Sequence, residues 1–358
     1  MGEVSRTCSG GTESEPGASA HRRCVVIQSA AYERALLRFL EPIAPVLAQP
    51  DVSEVVINGP SKIFIERRGK LEAFDAELDP EGLLGALRVV AQYAGRPLDD
   101  EFPILEAHLP DGARLEAVLA PIAEGGPCVA IRKHQLTSLS AEKLVELGAL
   151  SEEALAYLQQ AVAHQENILV SGGTGSGKTS LLRVLATMSD PDERLLVLED
   201  ARELALQRNH VVSLETRPAD ARGRGRITMA DLLKATLRLR PDRIVMGEVR
   251  GAEALDLIQA MSTGHGGCLS TIHASSPVGA LRRLETMALL AGYDVPLTAL
   301  RAQVALAIHV VVQIERLAGG KRGVTEIARV LPLSAHGEYE VETVFLRTPE
   351  GLLREGRA

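Results

Sequence analysis

The amino-acid sequence predicts an α/β protein in which a phosphate-binding domain with a parallel sheet follows a smaller α/β unit. Three observations lead to this prediction. Apolar runs of strand length alternate with runs at helical spacing in the second half of the 358-residue chain. One of these strands is followed by a glycine-rich string, Gly172 to Thr179, that opens the next helix. A separate set of strands around one amphipathic helix precedes it, between residues 51 and 136.

Composition and charge limit the functional class. The formal net charge is −8, which argues against a generic nucleic-acid-binding polycation, and we expect no direct DNA binding. The 4 cysteines form no C-x-x-C pair, which argues against a disulfide framework or a zinc ribbon. The sequence contains no recognisable signal peptide and no apolar stretch long enough to span a bilayer. We therefore expect a cytoplasmic protein that reaches a membrane only through partners.

One segment departs from the acidic average. Residues 201–250 contain 11 Lys/Arg and 6 Asp/Glu, a local balance of 11 − 6 = +5. Two interpretations remain open at this point: a solvated face with inter-subunit ion pairs, or an arginine-rich phosphate site.

The order of segments along the chain predicts six parts. Residues 1–24 are polar and predicted to be disordered. A helical segment at 25–50 contains Pro42 and Pro45 within its run from Tyr32 to Leu47. The remaining parts are a small α/β domain at 51–136, a linker with a short helix at 137–150, the phosphate-loop domain at 151–335 and a tail at 336–358.

In the small domain, the pattern predicts four strands and one helix. The strands are expected at Val55–Asn58, Lys62–Glu66, Ala113–Leu119 and Cys128–Lys133. The helix is expected at Pro80–Ala94, where leucine, valine and alanine recur at helical spacing.

In the larger domain, strands and helices alternate. Strands are predicted at Asn167–Val170, Leu195–Leu198, Val211–Leu214, Ile244–Met246, Cys268–Ile272 and Val310–Ile314. Helices are predicted at Glu152–His164, Ser180–Ala186, Thr228–Arg240, Ala252–Thr263 and Val278–Leu290. Such alternation predicts a parallel sheet with helices on both faces.

The glycine-rich string fits the pattern G-x-x-x-x-G-K-[ST] at every fixed position. Between a strand and a helix, this loop directs several backbone N–H groups and a helix N-terminus at one phosphate. Lys178 would reach the β- and γ-phosphates, and the Thr179 hydroxyl would bind Mg²⁺. The residues expected to contact ATP are Gly172, Gly173, Thr174, Gly175, Ser176, Gly177, Lys178, Thr179 and Ser180.

Hydrolysis also needs an acidic group near the γ-phosphate and a metal beside it. Glu199 and Glu248 each follow a predicted strand, and residues just past the carboxyl ends of parallel strands face the ligand crevice. We expect Glu248 to orient the attacking water and Glu199 to assist it and to bind Mg²⁺ together with Thr179.

Two histidines occur in the segment from Thr263 to Ala274. His273 follows a predicted strand, as the two acids do, and is expected to sense the γ-phosphate; His265 is the weaker candidate. The spacing of these histidines with Cys268 fits no common zinc pattern.

With these residues in place, the chain resembles the secretion ATPases of type II and type IV systems, most closely the branch that powers tight-adherence (Flp-type) pilus assembly. The resemblance extends from about Asp51 to Leu331. It rests on four ordered blocks, Gly172–Thr179, Leu198–Leu204, Arg240–Gly251 and Thr263–His273.

The resemblance implies a RecA-like phosphate-loop domain preceded by a PAS-like domain, with the protein assembled as a homo-hexamer. It implies ATP hydrolysis that powers pilus assembly or protein export, with attachment to inner-membrane platform proteins. Such ATPases bring arginines of the N-terminal domain to the phosphates, and the matching positions are Arg114 and Arg132. A guanidinium there would stabilise charge in the transition state.

Two features depart from the resemblance, and two alternatives stay open. Ser275 stands where the family usually has asparagine after the histidine block, and the helical N-terminal region is short. The first alternative is the ATPase of a conjugative type IV system, to which the Arg222–Arg226 stretch would contribute phosphate contacts. The second is a scaffold that binds nucleotide without hydrolysing it.

Overall fold

The chain divides into two units, Met1–His134 and Gln135–Ala358. The computed structural model describes residues 38, 40–67, 69–109, 111–133, 139–219, 223–349 and 351–354. The predicted disordered segment 1–24 and the first part of the predicted helix from Tyr32 to Leu47 lie outside these ranges. Within the described part of that run, the helix of the structure is Ala44–Leu47, which we call α1.

The first unit is built on one six-stranded antiparallel sheet. Its strands are β1 (Val52–Asn58), β2 (Ile63–Arg67), β3 (Lys70–Phe74), β4 (Ile104–His108), β5 (Arg114–Val118) and β6 (Cys128–Arg132). Their order across the sheet is β3-β2-β1-β6-β5-β4. The four predicted strands are confirmed, whereas the edge strands β3 and β4 were not predicted.

Helix α2 (Pro80–Ala94) has the predicted boundaries, and both of its ends have a local cause. The Asp79 carboxylate accepts a 2.7 Å hydrogen bond from Gly82 N, and Gly95 ends the helix at a φ of 66°. Buried leucine, alanine and valine side chains of α2 join the core of the sheet.

The second unit is built on a nine-stranded sheet. Its strands are β7 (Ile168–Ser171), β8 (Leu195–Glu199), β9 (Val211–Glu215), β10 (Arg243–Met246), β11 (Leu269–Ile272), β12 (Val310–Arg316), β13 (Arg322–Val330), β14 (Val341–Thr348) and β15 (Gly351–Arg354). The order is β15-β14-β13-β12-β7-β11-β10-β8-β9. From β12 to β9 neighbouring strands are parallel, and from β12 to β15 they are antiparallel.

Helices cover both faces of this sheet, as predicted. One buried cluster joins the sheet to α3 (Ala141–Glu146), α4 (Glu152–Ala163) and α5 (Lys178–Thr187). The other joins it to α6 (Met229–Thr236), α7 (Glu253–Ser262), α8 (Pro277–Leu289) and α9 (Leu297–Ala307). No helix in the described ranges has the length and apolar character to cross a membrane.

Three findings correct or extend the predicted elements of this unit. The sheet is mixed rather than wholly parallel, because β13, β14 and β15 extend it as antiparallel strands. Segment 336–358, set apart as a tail, supplies β14 and β15. Helix α9 was not predicted, and α6 ends at Thr236, before Arg240 takes a positive φ of 54°.

Candidate nucleotide-binding site

The phosphate loop joins β7, whose residues are all buried, to α5. Gly175 and Gly177 have positive φ angles of 67° and 102°, a conformation that glycine adopts without steric cost. Gly177 is the N-cap residue of α5, and no described side chain caps that helix end. The first N–H groups of α5 are therefore available to a phosphate, as the motif predicts.

The Lys178 side chain is buried beside the loop. Its Nζ donates to Gly172 O at 3.1 Å and to Gly173 O at 2.9 Å. Burial lowers the pKa of the ammonium, while the Glu248 carboxylate opposes that shift. The ammonium is thus held against the loop backbone, where the predicted contact with phosphate requires it.

His273 connects Lys178 to Glu248. Its Nδ1 lies 3.3 Å from Lys178 Nζ, and its Nε2 lies 3.1 Å from Oε1 of Glu248. Burial lowers the pKa of the imidazole, and the Lys178 ammonium lowers it further, whereas Glu248 raises it. Three of the residues chosen from the sequence therefore form one contact chain at the end of the sheet.

The backbone between neighbouring strands fixes this arrangement. Gly247 N donates to Leu198 O at 2.8 Å, and Thr271 Oγ1 donates to Gly247 O at 2.7 Å. Because β8, β10 and β11 are adjacent and parallel, the residues that follow them meet at one edge. Glu248 is thus held next to the segment that carries His273.

An ion-pair network continues from Glu248. Arg250 donates to Glu248 Oε2 at 2.9 Å, and its second guanidinium nitrogen lies 3.2 Å from Asp200 Oδ2. Both Arg250 and Asp200 belong to the sequence blocks quoted above, but their pattern alone gave them no role. Arg250 joins the acidic residues that follow β8 and β10.

Glu199 lies behind this network rather than in it. Its side chain is buried, and Oε1 accepts 2.9 Å hydrogen bonds from the backbone N–H groups of Glu203 and Leu204. Burial raises the pKa of this carboxyl group to about 7, although the two N–H groups oppose the shift. A Cβ at Gly247 would lie 3.2 Å from Glu199 Cγ, so the methylene part of the Glu199 side chain packs against Gly247, the residue that precedes Glu248.

A magnesium ion would find oxygen donors at this edge. The Thr179 hydroxyl and carboxylate oxygens are ligands that suit Mg²⁺. Glu199 Oε1 is already engaged by two backbone N–H groups, which leaves Oε2 as its oxygen for a metal. Both are oxygen donors of a kind that suits Mg²⁺, and their assignment to the ion stays a prediction.

His265 and the two candidate arginines lie elsewhere. His265 precedes β11 whereas His273 follows it, so the two histidines are at opposite ends of that strand. Arg114 and Arg132 belong to the first unit, where they are direct register partners on β5 and β6. The two guanidinium groups therefore leave the sheet on the same face, and their predicted approach to phosphate stays a prediction.

Two residues outside the four blocks also contact the site. Gln313, within β12, donates from Nε2 to Ala274 O at 3.3 Å. Arg316, the last residue of β12, donates from Nε to Gly175 O at 3.2 Å. Their only sequence signal is position: Gln313 interrupts the apolar run of β12, and Arg316 follows that run.

Comparison with known proteins gives one family. A family model described as "Type II/IV secretion system protein" matches residues 38–326. A putative conjugal transfer protein of Mycobacterium tuberculosis is 35% identical over 310 residues, which cover 85% of this chain and 87% of that protein. The type IV secretion system protein VirB11 of Brucella suis is 33% identical over 320 residues, with coverage of 81% and 89%.

Among solved structures, the ATPase DotB of Legionella pneumophila matches with a TM-score of 0.58 over 84% of this chain and 81% of that one. The sequence identity is 19%, so this likeness concerns the fold. It confirms the predicted fold class, a RecA-like phosphate-loop domain preceded by a smaller α/β domain of the PAS-like kind.

Proposed function

The chain belongs to the type II/IV secretion system protein family, and from that premise we propose that it is a motor that hydrolyses ATP to drive transport through a membrane complex. We propose further that six copies form a ring on the cytoplasmic side of an inner membrane, attached through platform proteins.

The contact chain Lys178–His273–Glu248 is the observation that carries the proposal. A loop that only bound nucleotide would need the ammonium and the backbone N–H groups. The additional carboxylate and imidazole, held within hydrogen-bonding distance of each other, suit a site that also activates water and responds to the γ-phosphate.

Each residue then has a distinct task. The loop N–H groups and Lys178 bind the phosphates, and the Glu248 carboxylate orients the attacking water. His273, uncharged because its pKa is lowered, has a single N–H donor, which it can direct either to Glu248 or to a γ-phosphate oxygen. When bound, Mg²⁺ would neutralise charge on the phosphate oxygens.

Two substitutions test this proposal. Glu248→Gln keeps the size of the side chain but removes the negative charge, so we expect ATP to bind while turnover falls about tenfold or more. Lys178→Ala removes the buried ammonium, and tight ATP binding should be lost. The measurements are ATP affinity by calorimetry and phosphate release at saturating ATP.

Glu253→Gln is the matched control, since Glu253, the first residue of α7, accepts hydrogen bonds from the backbone N–H groups of Arg250 and Gly251. It lies near the site without touching Lys178 or His273. Turnover near the wild-type level in Glu248→Gln would overturn the catalytic assignment. Unchanged ATP affinity in Lys178→Ala would overturn the assignment of the phosphate loop.

Two classes of transported substrate are compatible with the proposed motor. The sequence resemblance favours a pilus or a protein substrate, whereas the names of the Mycobacterium and Brucella relatives favour a conjugative or type IV system. The Arg222–Arg226 stretch is the feature that suits DNA. Arg222 lies outside the described residues, and residues 223–226 precede Ile227, which forms a β-bridge with Arg217. Crosslinking from cells with Glu248→Gln separates the two: platform proteins and pilin-like chains indicate a pilus motor, and a relaxase or DNA indicates conjugation.

A further inference from the structure

The phosphate loop lies along the hairpin formed by β12 and β13. A Cβ placed at Gly172 would lie 2.2 Å from Ile314 O, and one at Gly175 would lie 2.8 Å from Arg316 Nη2. At Gly177 the nearest atom would be Cδ of Arg322, at 3.4 Å. Three glycines of the loop therefore contact one hairpin, and none of the three hairpin residues belongs to the four sequence blocks.

Arg316 contacts the phosphate loop at the backbone carbonyl group of Gly175. Its Nε donates to Gly175 O at 3.2 Å, and Gly175 has a positive φ of 67°. In a planar trans peptide the carbonyl and the following N–H point in opposite directions. Holding Gly175 O toward the hairpin therefore directs the Ser176 N–H away from the hairpin.

The Ser176 N–H does point into the loop. It faces Gly173 O at an N–O distance of 3.4 Å, which is long for a backbone hydrogen bond. This donor is thus oriented but weakly engaged, which is the condition a phosphate oxygen needs in order to accept from it. Arg316 secures the orientation from outside the loop.

The charge of Arg316 is also available to a ligand. Its side chain is exposed, and among the described residues it forms no ion pair. A guanidinium that touches a phosphate loop and is not neutralised by a carboxylate adds positive potential where the triphosphate binds.

We propose that Arg316 is a positioning residue of the nucleotide site, which aligns the Gly175–Ser176 peptide of the phosphate loop and adds its charge to the triphosphate-binding surface. The proposal rests on the ATPase function inferred above. It assigns to the β12–β13 hairpin a part in nucleotide affinity rather than in the hydrolysis step.

The test compares three substitutions at this position in the full chain. Arg316→Ala removes the donor and the charge, Arg316→Gln keeps a donor without charge, and Arg316→Lys keeps both. We expect Arg316→Ala to raise the Kd and KM for ATP about tenfold with kcat within about twofold. Arg316→Lys should recover most of the affinity. Arg316→Gln should be intermediate and should lose less affinity than wild type as salt rises.

Arg329→Ala is the control. Arg329 lies on the same hairpin, opposite the start of β12, and pairs with Glu166 Oε1 at 2.7 Å. It should leave the KM for ATP unchanged. An Arg316→Ala KM equal to that of the control would overturn the proposal, as would a fall in kcat at unchanged KM. If Lys178→Ala abolishes binding while Arg316→Ala has no effect, the ATPase function stands and this inference alone fails.

Discussion

His273 lies between an ammonium and a carboxylate, and these two neighbours shift its pKa in opposite directions. Burial and Lys178 together prevail, so the imidazole is neutral at physiological pH. A neutral imidazole can donate from one nitrogen and accept at the other, which suits a side chain placed between the ammonium of Lys178 and the carboxylate of Glu248. The sequence predicted that Lys178, His273 and Glu248 belong to the site. The opposing effects of the two neighbours on the pKa of His273 follow only from the observed distances.

Glu199 gives a pH-dependent prediction at the same scale. Burial raises the pKa of its carboxyl group from 4.5 to about 7. The folded state therefore keeps the proton in a pH range where the unfolded state has released it. Stability is greatest below the unfolded pKa and falls as the pH rises through the folded pKa.

Glu199→Gln removes this titration and keeps an oxygen for the N–H groups of Glu203 and Leu204. Relative to wild type, the variant should gain stability between pH 4.5 and 7, the limits set by the unfolded and folded pKa, on the order of 2 kcal/mol. Thermal unfolding across this pH range measures the change. Glu124→Gln, at an exposed loop position of the first unit, should reproduce the wild-type pH dependence. If the stability difference between Glu199→Gln and wild type were the same at every pH, this result would contradict a buried, protonated Glu199.

At the scale of elements, the strands that carry the site were predictable because each is a short run rich in apolar residues, with a polar residue within two positions of its end. This holds for β7, β8, β10 and β11, all buried along their length. The start of α6 also has a local sequence cause, since Thr228 and Asp231 stand at the spacing of a capping box and the structure contains the complete box.

The elements that were not predicted have different physical causes. Strand β3 is mostly exposed, so it lacks the alternation that marks a half-buried strand. The apolar stretch from Ala302 to Ile314 contains both the end of α9 at Ala307 and the start of β12 at Val310. Its apolar composition does not mark where the helix ends and the strand begins. The antiparallel extension by β13 to β15 depends on long-range pairing, which local patterns do not specify.

The packing of the phosphate loop on β12 predicts different effects for two adjacent glycines. Gly172→Ala would place Cβ 2.2 Å from Ile314 O, a backbone atom that no rotamer change can move. We expect a loss of about 1–3 kcal/mol in unfolding free energy. Gly173→Ala is the matched control, since nothing lies within 4 Å of its Cβ position. Chemical denaturation measures both, and equal stability of the two variants would contradict the described packing.

At the scale of the whole molecule, the chain places the two groups of candidate catalytic residues in different units. The phosphate loop, both acids and His273 lie in Gln135–Ala358, whereas Arg114 and Arg132 lie in Met1–His134. The sequence resemblance named the arginines, and no local pattern in β5 or β6 would have selected them. The structure adds that they are register partners across two antiparallel strands.

Like charges directly opposite each other on a sheet are unfavourable by roughly 0.2–1 kcal/mol. Glu54, the register partner of Arg132 on β1, offsets part of this cost. We expect this arginine pair to serve a ligand rather than the stability of the sheet, and phosphate is a ligand that two adjacent guanidinium groups suit.

Substitution of either arginine should therefore affect activity without weakening the fold. Arg114→Ala and Arg132→Ala should each lower kcat about tenfold or more, while the unfolding free energy stays the same or rises slightly because the repulsion is relieved. Lysine at either position should not restore kcat, since it lacks the planar fork of the guanidinium. Arg88→Ala, at an exposed position on α2 of the same unit, is the control and should leave turnover unchanged. Wild-type kcat in both single variants would remove the arginines from the catalytic machinery, and a large loss of stability would make them structural residues of the first unit.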